Sequence, residues 1–234
     1  MSRDWLTMLI PTRGRPQAAA EVLAACDETD THSHTTIVFG VDSDDPTLEE
    51  YDEVVRGAVG TSALVMVIKP GVRRGMVAAL NQMVKSLPAK GSGALGFMGD
   101  DHRPRTTNWD LKLLDALGDR RYAVAYGDDL LQGVNLATAV VMTEDIPREL
   151  GYMAPPELIH LYVDNAWMDW GRATSLTYVP DVVLEHMHPA AGKGNGDEGY
   201  ELENSTEVNS ADRIAYEKYC SSRLAEDVAK LVGA

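Results

Sequence analysis

Apolar and polar positions alternate along the first half of the chain in blocks of two kinds. Short runs that are continuously apolar are typical of strands buried on both faces of a parallel sheet. Each run is followed by a longer segment whose apolar residues recur at helical spacing. The predicted order is strand 5–11, helix 17–26, strand 36–41, helix 47–59, strand 63–68 and helix 76–86.

The same alternation continues and then stops in the second half. Strands are predicted at 94–99, 122–126 and 138–142, and a helix is predicted at 108–117. Beyond them the pattern predicts a helix from Asp164 to near Gly171, short strands at 177–180 and 182–184, a glycine-rich loop at 190–206 and a C-terminal helix at 211–232. Strands that alternate with helices predict an α/β fold with a mostly parallel central sheet flanked by helices.

One domain accommodates all of these elements. A chain of 234 residues is long enough for one large α/β core. We expect this domain to have three parts, at 1–105, 106–209 and a C-terminal helical segment at 210–234.

Composition narrows the range of functions. Thirty-six acidic residues against twenty-one basic ones give a net charge of −15, which disfavours long-range attraction to nucleic acid or to an anionic membrane. The two cysteines, Cys26 and Cys220, have no motif spacing, so neither a disulfide framework nor a zinc site is indicated. No segment has the length of a membrane span, and the N-terminus does not read as a signal peptide. We therefore expect a cytoplasmic protein.

Carboxylates follow two of the predicted strands. Asp100 and Asp101 come directly after an apolar run that ends in glycine, and His102 follows them. Another acidic cluster, Asp42 to Asp45, follows the second strand. Open α/β sheets bind ligands at the carboxyl ends of their strands, and adjacent carboxylates repel unless a cation or a proton lies between them. The pattern favours a divalent metal site, although a solvated turn has the same composition.

Two glycine-containing loops are basic in this acidic chain. Arg13 and Arg15 lie in the first loop, and Arg73 and Arg74 lie in the loop before the third helix. Arginine matches phosphate oxygens, so a diphosphate is a natural ligand, while solvated surface charges are the alternative.

The second half holds further candidate groups. Asp164 and Trp167 are three residues apart and share one face of a helix, which is consistent with either a ligand site or a capping carboxylate over a core tryptophan. His186 and His188 point to the same side of an extended segment, as metal ligands or as a surface pair. The second Gly-Asp-Asp, at 127–129, is a rival for the metal role, but no histidine follows it, and it is interpreted as an acceptor-side loop or a plain turn.

In order and spacing these motifs resemble a nucleotide-sugar glycosyltransferase of the A-type fold, close to family 2. The resemblance spans about Leu6 to Lys193, and it implies a nucleotide-binding half at 1–105 and an acceptor or catalytic half at 106–209. It rests on Ile10-Pro11-Thr12-Arg13, the acids at 42–45, the basic loop 71–74 with the helix through Asn81, Gly99-Asp100-Asp101, Asp164 and a late histidine. The chain departs from the family's Asp-x-Asp, because no acid stands at Met98 or Gly99.

The resemblance implies a role for each matching residue. Nucleotide contacts are implied for Pro11, Thr12, Arg13, Asp42, Arg73, Arg74, Asn81 and Asp100. Mn²⁺ or Mg²⁺ would be held by Asp101 with His188 or His186, and His188 is favoured because it lies nearer the glycine-rich loop. Asp164 would be the catalytic base in an inverting transfer, and Asp169 falls on another helix face. The donor would be a nucleotide diphosphate sugar, with UDP expected.

Three other classes fit parts of the pattern. A sugar-nucleotide nucleotidyltransferase also uses paired acids and a metal but needs a more glycine-rich first loop than 12–15 provides. A metal-dependent hydrolase would use the aspartates and histidines and leave the Asp42 cluster without a role. A non-catalytic nucleotide-sugar-binding protein would bind the donor without turnover. The acceptor is left open among saccharide, protein, lipid and modified base, and the sequence does not indicate an oligomeric state.

Overall fold

A computed structural model describes residues 4–31, 33–58, 60–68, 75–88, 93–189, 192–193 and 206–233 of the chain. Its first half follows the predicted alternation closely. The elements are β1 (Leu6–Thr12), α1 (Pro16–Glu28), β2 (Thr35–Asp42), α2 (Leu48–Gly57), β3 (Ser62–Ile68), α3 (Met76–Ser86) and β4 (Ala94–Phe97).

The second half contains shorter strands and more irregular connections. Its elements are β5 (His102–Pro104), α4 (Trp109–Leu117), β6 (Val124–Asp128), a 3-10 turn (Gly133–Asn135), β7 (Val140–Thr143), α5 (Asp145–Leu150), α6 (Val163–Ala173), β8 (Leu176–His186), α7 (Thr206–Ser222) and α8 (Leu224–Val232). No helix among the described residues is long and apolar enough to cross a membrane.

The eight strands of the described residues belong to one sheet, which runs through both predicted halves in the order β3-β2-β1-β4-β7-β6-β8-β5. The predicted α/β class is confirmed, but the prediction of a mostly parallel sheet is wrong. Strand β7 pairs antiparallel with both β4 and β6, and β5 pairs antiparallel with β8, so the sheet is mixed. The connection from β6 to β7 holds only the 3-10 turn, and without a crossover helix a short connection returns antiparallel.

Each face of the sheet has its own apolar core, so strand residues are buried on both sides. On one face Met8 and Ile10 of β1 pack with α1 and α4. On the other face Leu9 packs with α3, α6 and the C-terminal helices, including Trp167 and Leu231. Burial on both faces explains why these strands read as continuous apolar runs.

Three element predictions in the second half need correction. The two strands predicted at 177–180 and 182–184 form the single strand β8. The C-terminal helix predicted at 211–232 is two helices, α7 and α8, with Arg223 between them. Strand β5 and helix α5 were not predicted, because three and six residues are too few to show a period. The predicted loop at 190–206 lies almost wholly outside the described residues.

Candidate functional site

Several strands end at one edge of the sheet and carry the polar residues of the candidate site. β1, β2 and β4 are parallel, so their last residues share that edge. β6 ends there too, because β7 is antiparallel to both β4 and β6. β8 runs parallel to β6 and ends at His186. Thr12, Asp101, Asp129 and His186, which are far apart in sequence, are therefore brought together.

A carboxylate and two imidazoles, Asp101, His102 and His186, form the centre of this edge and are called here the carboxylate–imidazole cluster. Asp101 Oδ1 lies 3.1 Å from His102 Nδ1, and Asp101 Oδ2 lies 3.0 Å from His186 Nε2. The imidazole rings stack with centroids 4.2 Å apart, because β5 and β8 pair His102 with His186. A Cβ on Gly99 would overlap the Asp101 carboxylate, so glycine is required where the chain turns into the cluster.

The cluster has the geometry to hold a cation. Within the described part of the chain it is the one group of histidine, cysteine and acidic residues whose ligand atoms all lie within 4.8 Å of one another. Burial alone would raise the pKa of Asp101, but its contacts with His102 and His186 outweigh burial and lower it. Burial alone would lower the pKa of His186, but Asp101 and Asp129 outweigh it and raise that pKa to about 9. The site thus stabilises positive charge between carboxylates.

His102 is buried, and both of its ring nitrogens have polar neighbours. Burial lowers its pKa. The backbone N–H of Gly99 donates to His102 Nδ1 at 3.2 Å, and Nδ1 also lies 3.1 Å from Asp101 Oδ1. The other ring nitrogen, Nε2, faces Thr138 Oγ1 at 3.4 Å.

Asp129 lies behind the cluster and was interpreted from the sequence as an acceptor-side loop residue or part of a turn. It does make a turn, because its Oδ1 accepts the backbone N–H groups of Leu131, Gln132 and Gly133. Its Oδ2 accepts the hydroxyl of Thr138 at 2.8 Å and lies 3.9 Å from His186 Nδ1. The second Gly-Asp-Asp was a signal for Asp129, whereas no pattern in the sequence pointed to Thr138.

His188 lies beside the cluster. Its ring meets the ring of His186 edge-on with centroids 4.9 Å apart. Burial, followed by the charge on His186, lowers the pKa of His188. Of the two predicted late histidines, His186 is therefore the one in direct contact with Asp101, and His188 is one ring removed from Asp101, because its ring packs against the ring of His186.

Asp100 faces away from the cluster and toward the end of β1. Its Oδ2 accepts the hydroxyl of Thr12 at 2.6 Å, and its Oδ1 accepts from Arg15 Nη1 at 3.2 Å. Thr12 Oγ1 also lies 3.1 Å from the hydroxyl of Tyr51. Burial raises the pKa of Asp100 despite the opposing effects of Thr12 and Arg15. The adjacent aspartates of the first Gly-Asp-Asp thus have different surroundings.

Arg13 and Asp42 meet at the exposed rim of the same edge. Arg13 Nη1 lies 3.0 Å from Asp42 Oδ2 and 2.7 Å from Asp44 Oδ1. Arg13 is about half exposed, so these pairs contribute little to stability and can rearrange around a ligand. Pro11 is paired with Gly40 of β2, one residue before Thr12.

Three other predicted nucleotide contacts lie elsewhere or outside the described residues. Asn81 is buried on α3; its amide accepts from the backbone N–H groups of Met153 and Ala154 and donates to the carbonyl of Ala154. These contacts give Asn81 a part in holding the 153–154 segment. Arg73 and Arg74 lie outside the described residues, so their nucleotide role stays a prediction.

Asp164 lies in the first turn of α6, and its Oδ1 accepts the backbone N–H of Asn165 at 2.9 Å. Burial raises its pKa to about 6, while the Asn165 hydrogen bond and the charges of His160 and His186 oppose the rise. The influence of His186 places the Asp164 carboxyl within electrostatic range of the carboxylate–imidazole cluster. Trp167 is fully buried and donates to the carbonyl of Met153, so it belongs to the core.

Asp212 of α7 holds the segment that leads into α6. Its fully buried carboxylate accepts the backbone N–H groups of Ile159, His160 and Leu161 at 2.7 to 2.8 Å. Three charge-assisted hydrogen bonds from one buried carboxylate fix this segment firmly. The C-terminal helices thereby help to place Asp164.

Sequence comparison alone identifies no relative of this chain. No protein-family model matches it, and no curated protein matches it in sequence.

Comparison with solved structures gives a consistent answer about the fold. The mannosyltransferase PcManGT of Pyrobaculum calidifontis, solved with GDP-Man and Mn²⁺, is 12% identical with a TM-score of 0.64, over 99% of this chain and 74% of that one. Staphylococcus aureus TarS, solved with UDP-GlcNAc, is 11% identical with a TM-score of 0.64, over 98% and 71% of the two chains.

Glucosyl-3-phosphoglycerate synthase from Mycobacterium tuberculosis, solved with Mn²⁺, UDP and phosphoglyceric acid, is 11% identical with a TM-score of 0.57, over 91% of this chain and 78% of that one. The similarity to all three spans nearly the whole chain at very low identity. It confirms the resemblance inferred from the motifs at the level of fold: the chain has the A-type fold of nucleotide-sugar glycosyltransferases.

Proposed function

We propose that the protein is a metal-dependent glycosyltransferase that moves a sugar from a nucleotide diphosphate sugar to an acceptor hydroxyl with inversion. The observation that carries the proposal is the carboxylate–imidazole cluster at the carboxyl edge of an A-type sheet, within electrostatic range of Asp164 and its raised pKa. Proteins of this fold were solved with UDP- or GDP-sugars, and UDP is the nucleotide that we expect here.

The cluster fits a divalent cation by its donor atoms. One carboxylate and two imidazoles supply oxygen and nitrogen, a mixture that suits Mn²⁺ better than Mg²⁺, which prefers oxygen alone. Asp101 and His186 would hold the ion, with His102 or His188 as a further ligand. A bound cation would neutralise the charge that builds on the leaving diphosphate.

The protein's own groups would divide the remaining tasks. Thr12, Arg13 and Asp42 lie at the ends of β1 and β2, where base and ribose contacts are expected in open sheets. The Asp164 carboxyl would accept the proton of the acceptor hydroxyl as that oxygen attacks the anomeric carbon. A pKa near 6 suits this task, because the group is ionised at neutral pH and still basic enough to take a proton.

A thermal-shift panel of UDP-, GDP-, dTDP- and CDP-sugars, each with Mn²⁺ or with EDTA, tests the donor half of the proposal. We expect one UDP-sugar to raise the melting temperature strongly, and only with Mn²⁺, because the diphosphate and the protein each supply some of the ligands of the metal. Hydrolysis of that donor without an acceptor then tests for turnover.

Two of the alternatives would give results that differ from these. A nucleotidyltransferase would release pyrophosphate from a nucleoside triphosphate and a sugar 1-phosphate. A non-catalytic binding protein would show the thermal shift without donor hydrolysis and without transfer to any acceptor. Equal stabilisation in Mn²⁺ and EDTA by every donor would contradict the proposed metal-dependent function.

The two late histidines should differ in their effect on metal binding. Because His186 Nε2 lies 3.0 Å from Asp101 and His188 is one ring removed, His186→Ala should weaken Mn²⁺ binding about 10- to 100-fold. His188→Ala should weaken it less. Calorimetric titration with Mn²⁺ checks the order, and a larger loss for His188→Ala would make His188 the ligand, as the sequence favoured.

A further inference from the structure

Asp129 occupies a fixed position behind the carboxylate–imidazole cluster. Its side chain is almost fully buried. One oxygen, Oδ1, is saturated by three backbone N–H groups at 2.6 to 2.9 Å, so the carboxylate cannot rotate without breaking its turn. The other oxygen, Oδ2, accepts the Thr138 hydroxyl and is directed to His186.

His186 lies between two carboxylates. Its Nε2 lies 3.0 Å from Asp101 Oδ2, on the side of the proposed metal. Its Nδ1 is buried and makes no hydrogen bond within the described residues, and Asp129 Oδ2, at 3.9 Å, is the acceptor that faces it. A buried imidazole nitrogen is stabilised when it donates to such a carboxylate.

We propose that Asp129 is a positioning residue, which keeps the proton of His186 on Nδ1 and so leaves Nε2 to bind the metal ion. The inference rests on the proposed function, because that function supplies the metal. It goes further by assigning the second Gly-Asp-Asp a role in metal affinity.

Thr138 strengthens this arrangement and extends it to the second imidazole. Its hydroxyl donates to Asp129 Oδ2, and the same oxygen lies 3.4 Å from His102 Nε2. In both stacked rings, the nitrogen on the side away from Asp101 therefore faces the Thr138–Asp129 pair. We call this nitrogen the distal one. A carboxylate that accepts from the distal nitrogen fixes the tautomer and orientation of a metal-binding histidine, and losing it costs about 10- to 100-fold in metal affinity.

Asp129→Asn is the discriminating variant. An amide oxygen can still accept the three backbone N–H groups, while an amide NH₂ in place of Oδ2 would donate to His186 Nδ1 and favour the wrong tautomer. Asp128→Asn is the matched control, because Asp128 Oδ1 accepts the N–H of Leu130 in the same turn. Calorimetry with Mn²⁺ alone should show about 10- to 100-fold weaker binding for Asp129→Asn, and unchanged binding for Asp128→Asn.

Nitrogen NMR of the wild-type protein loaded with diamagnetic Cd²⁺ tests the same point if Asp129→Asn does not fold. We expect metal at His186 Nε2 and a proton on Nδ1; metal at Nδ1 would overturn the inference. Unchanged Mn²⁺ affinity in a folded Asp129→Asn would overturn it as well. An inactive protein that binds Mn²⁺ through Asp101 would disprove the proposed function and leave this inference standing, because neither measurement needs donor or acceptor.

Discussion

Replacing Asp101 by asparagine should abolish the Mn²⁺-dependent part of UDP binding and reduce turnover to the limit of detection. Among the described residues, Asp101 is the carboxylate within hydrogen-bonding distance of both His102 and His186, so its charge would be central to the proposed cation binding. Neutralising that charge would remove the anionic ligand that favours a divalent ion and would leave two imidazoles. The measurement is the UDP-induced rise in melting temperature with Mn²⁺ and with EDTA.

Asp128→Asn is the control for lost negative charge at the same edge of the sheet, because Asp128 ends β6 and contacts Leu130 in its own turn. It should keep the full Mn²⁺-dependent shift. If Asp101→Asn were stabilised by UDP to the same level with and without metal, matching the wild type in Mn²⁺, the metal assignment of Asp101 would be wrong.

The first half of the fold could be predicted because each of its elements carries its own signal. Helix α3 has the predicted bounds, Met76–Ser86, and β4 begins at the predicted Ala94 but ends at Phe97, two residues before the predicted end. Long apolar runs separated by helical periods leave few alternatives. Strand direction in the second half could not be predicted, because the apolar run of β7 reads the same whether it pairs parallel or antiparallel.

The residues of the candidate site could be predicted only where a carboxylate or an imidazole stands at the end of a strand. Asp101 and His186 stand at such ends, and the structure brings them into contact. His102 was recognised next to the aspartates but not as a partner of His186, because that pairing depends on the register of β5 against β8. The two strands are far apart in the sequence, so no local pattern in either strand indicates the register in which they pair.

Thr138 and Asp129 show a second limit of prediction from the sequence. The turn at 128–133 is built by aspartate side chains that accept backbone N–H groups, and turn composition alone explains why they are there. Only the packing of β6 beside β8 gives Asp129 an additional contact with His186. One residue can thus satisfy a turn pattern and serve a site at the same time.

Asp164→Asn should separate chemistry from donor binding. If Asp164 accepts the acceptor's proton, its loss should lower turnover by about a hundredfold or more, while affinity for UDP with Mn²⁺ stays near the wild-type value. In the wild type, kcat/KM should rise with pH through about 6, where this carboxyl ionises. Donor hydrolysis or transfer, paired with calorimetric UDP binding, provides both measurements.

The same substitution should also stabilise the protein. The pKa of Asp164 is raised in the folded state, so its favourable contribution to folding is fully present below the unfolded pKa and is lost as the pH rises through about 6. At pH 8 an uncharged asparagine avoids that cost, and the free energy of unfolding should rise by about 1 to 3 kcal/mol.

Asp169→Asn on the same helix supplies the contrast. Asp169 accepts from the Tyr216 hydroxyl and pairs with Arg172, so this variant should lose stability and keep turnover near the wild-type level. Loss of UDP binding together with turnover in Asp164→Asn would instead place Asp164 in the nucleotide site or the fold. We expect Asp164→Asn to be more stable than the wild type, to lose turnover and to keep its donor affinity. This combination is expected when a catalytic carboxylate is kept, for its function, in an environment that is unfavourable for its charge.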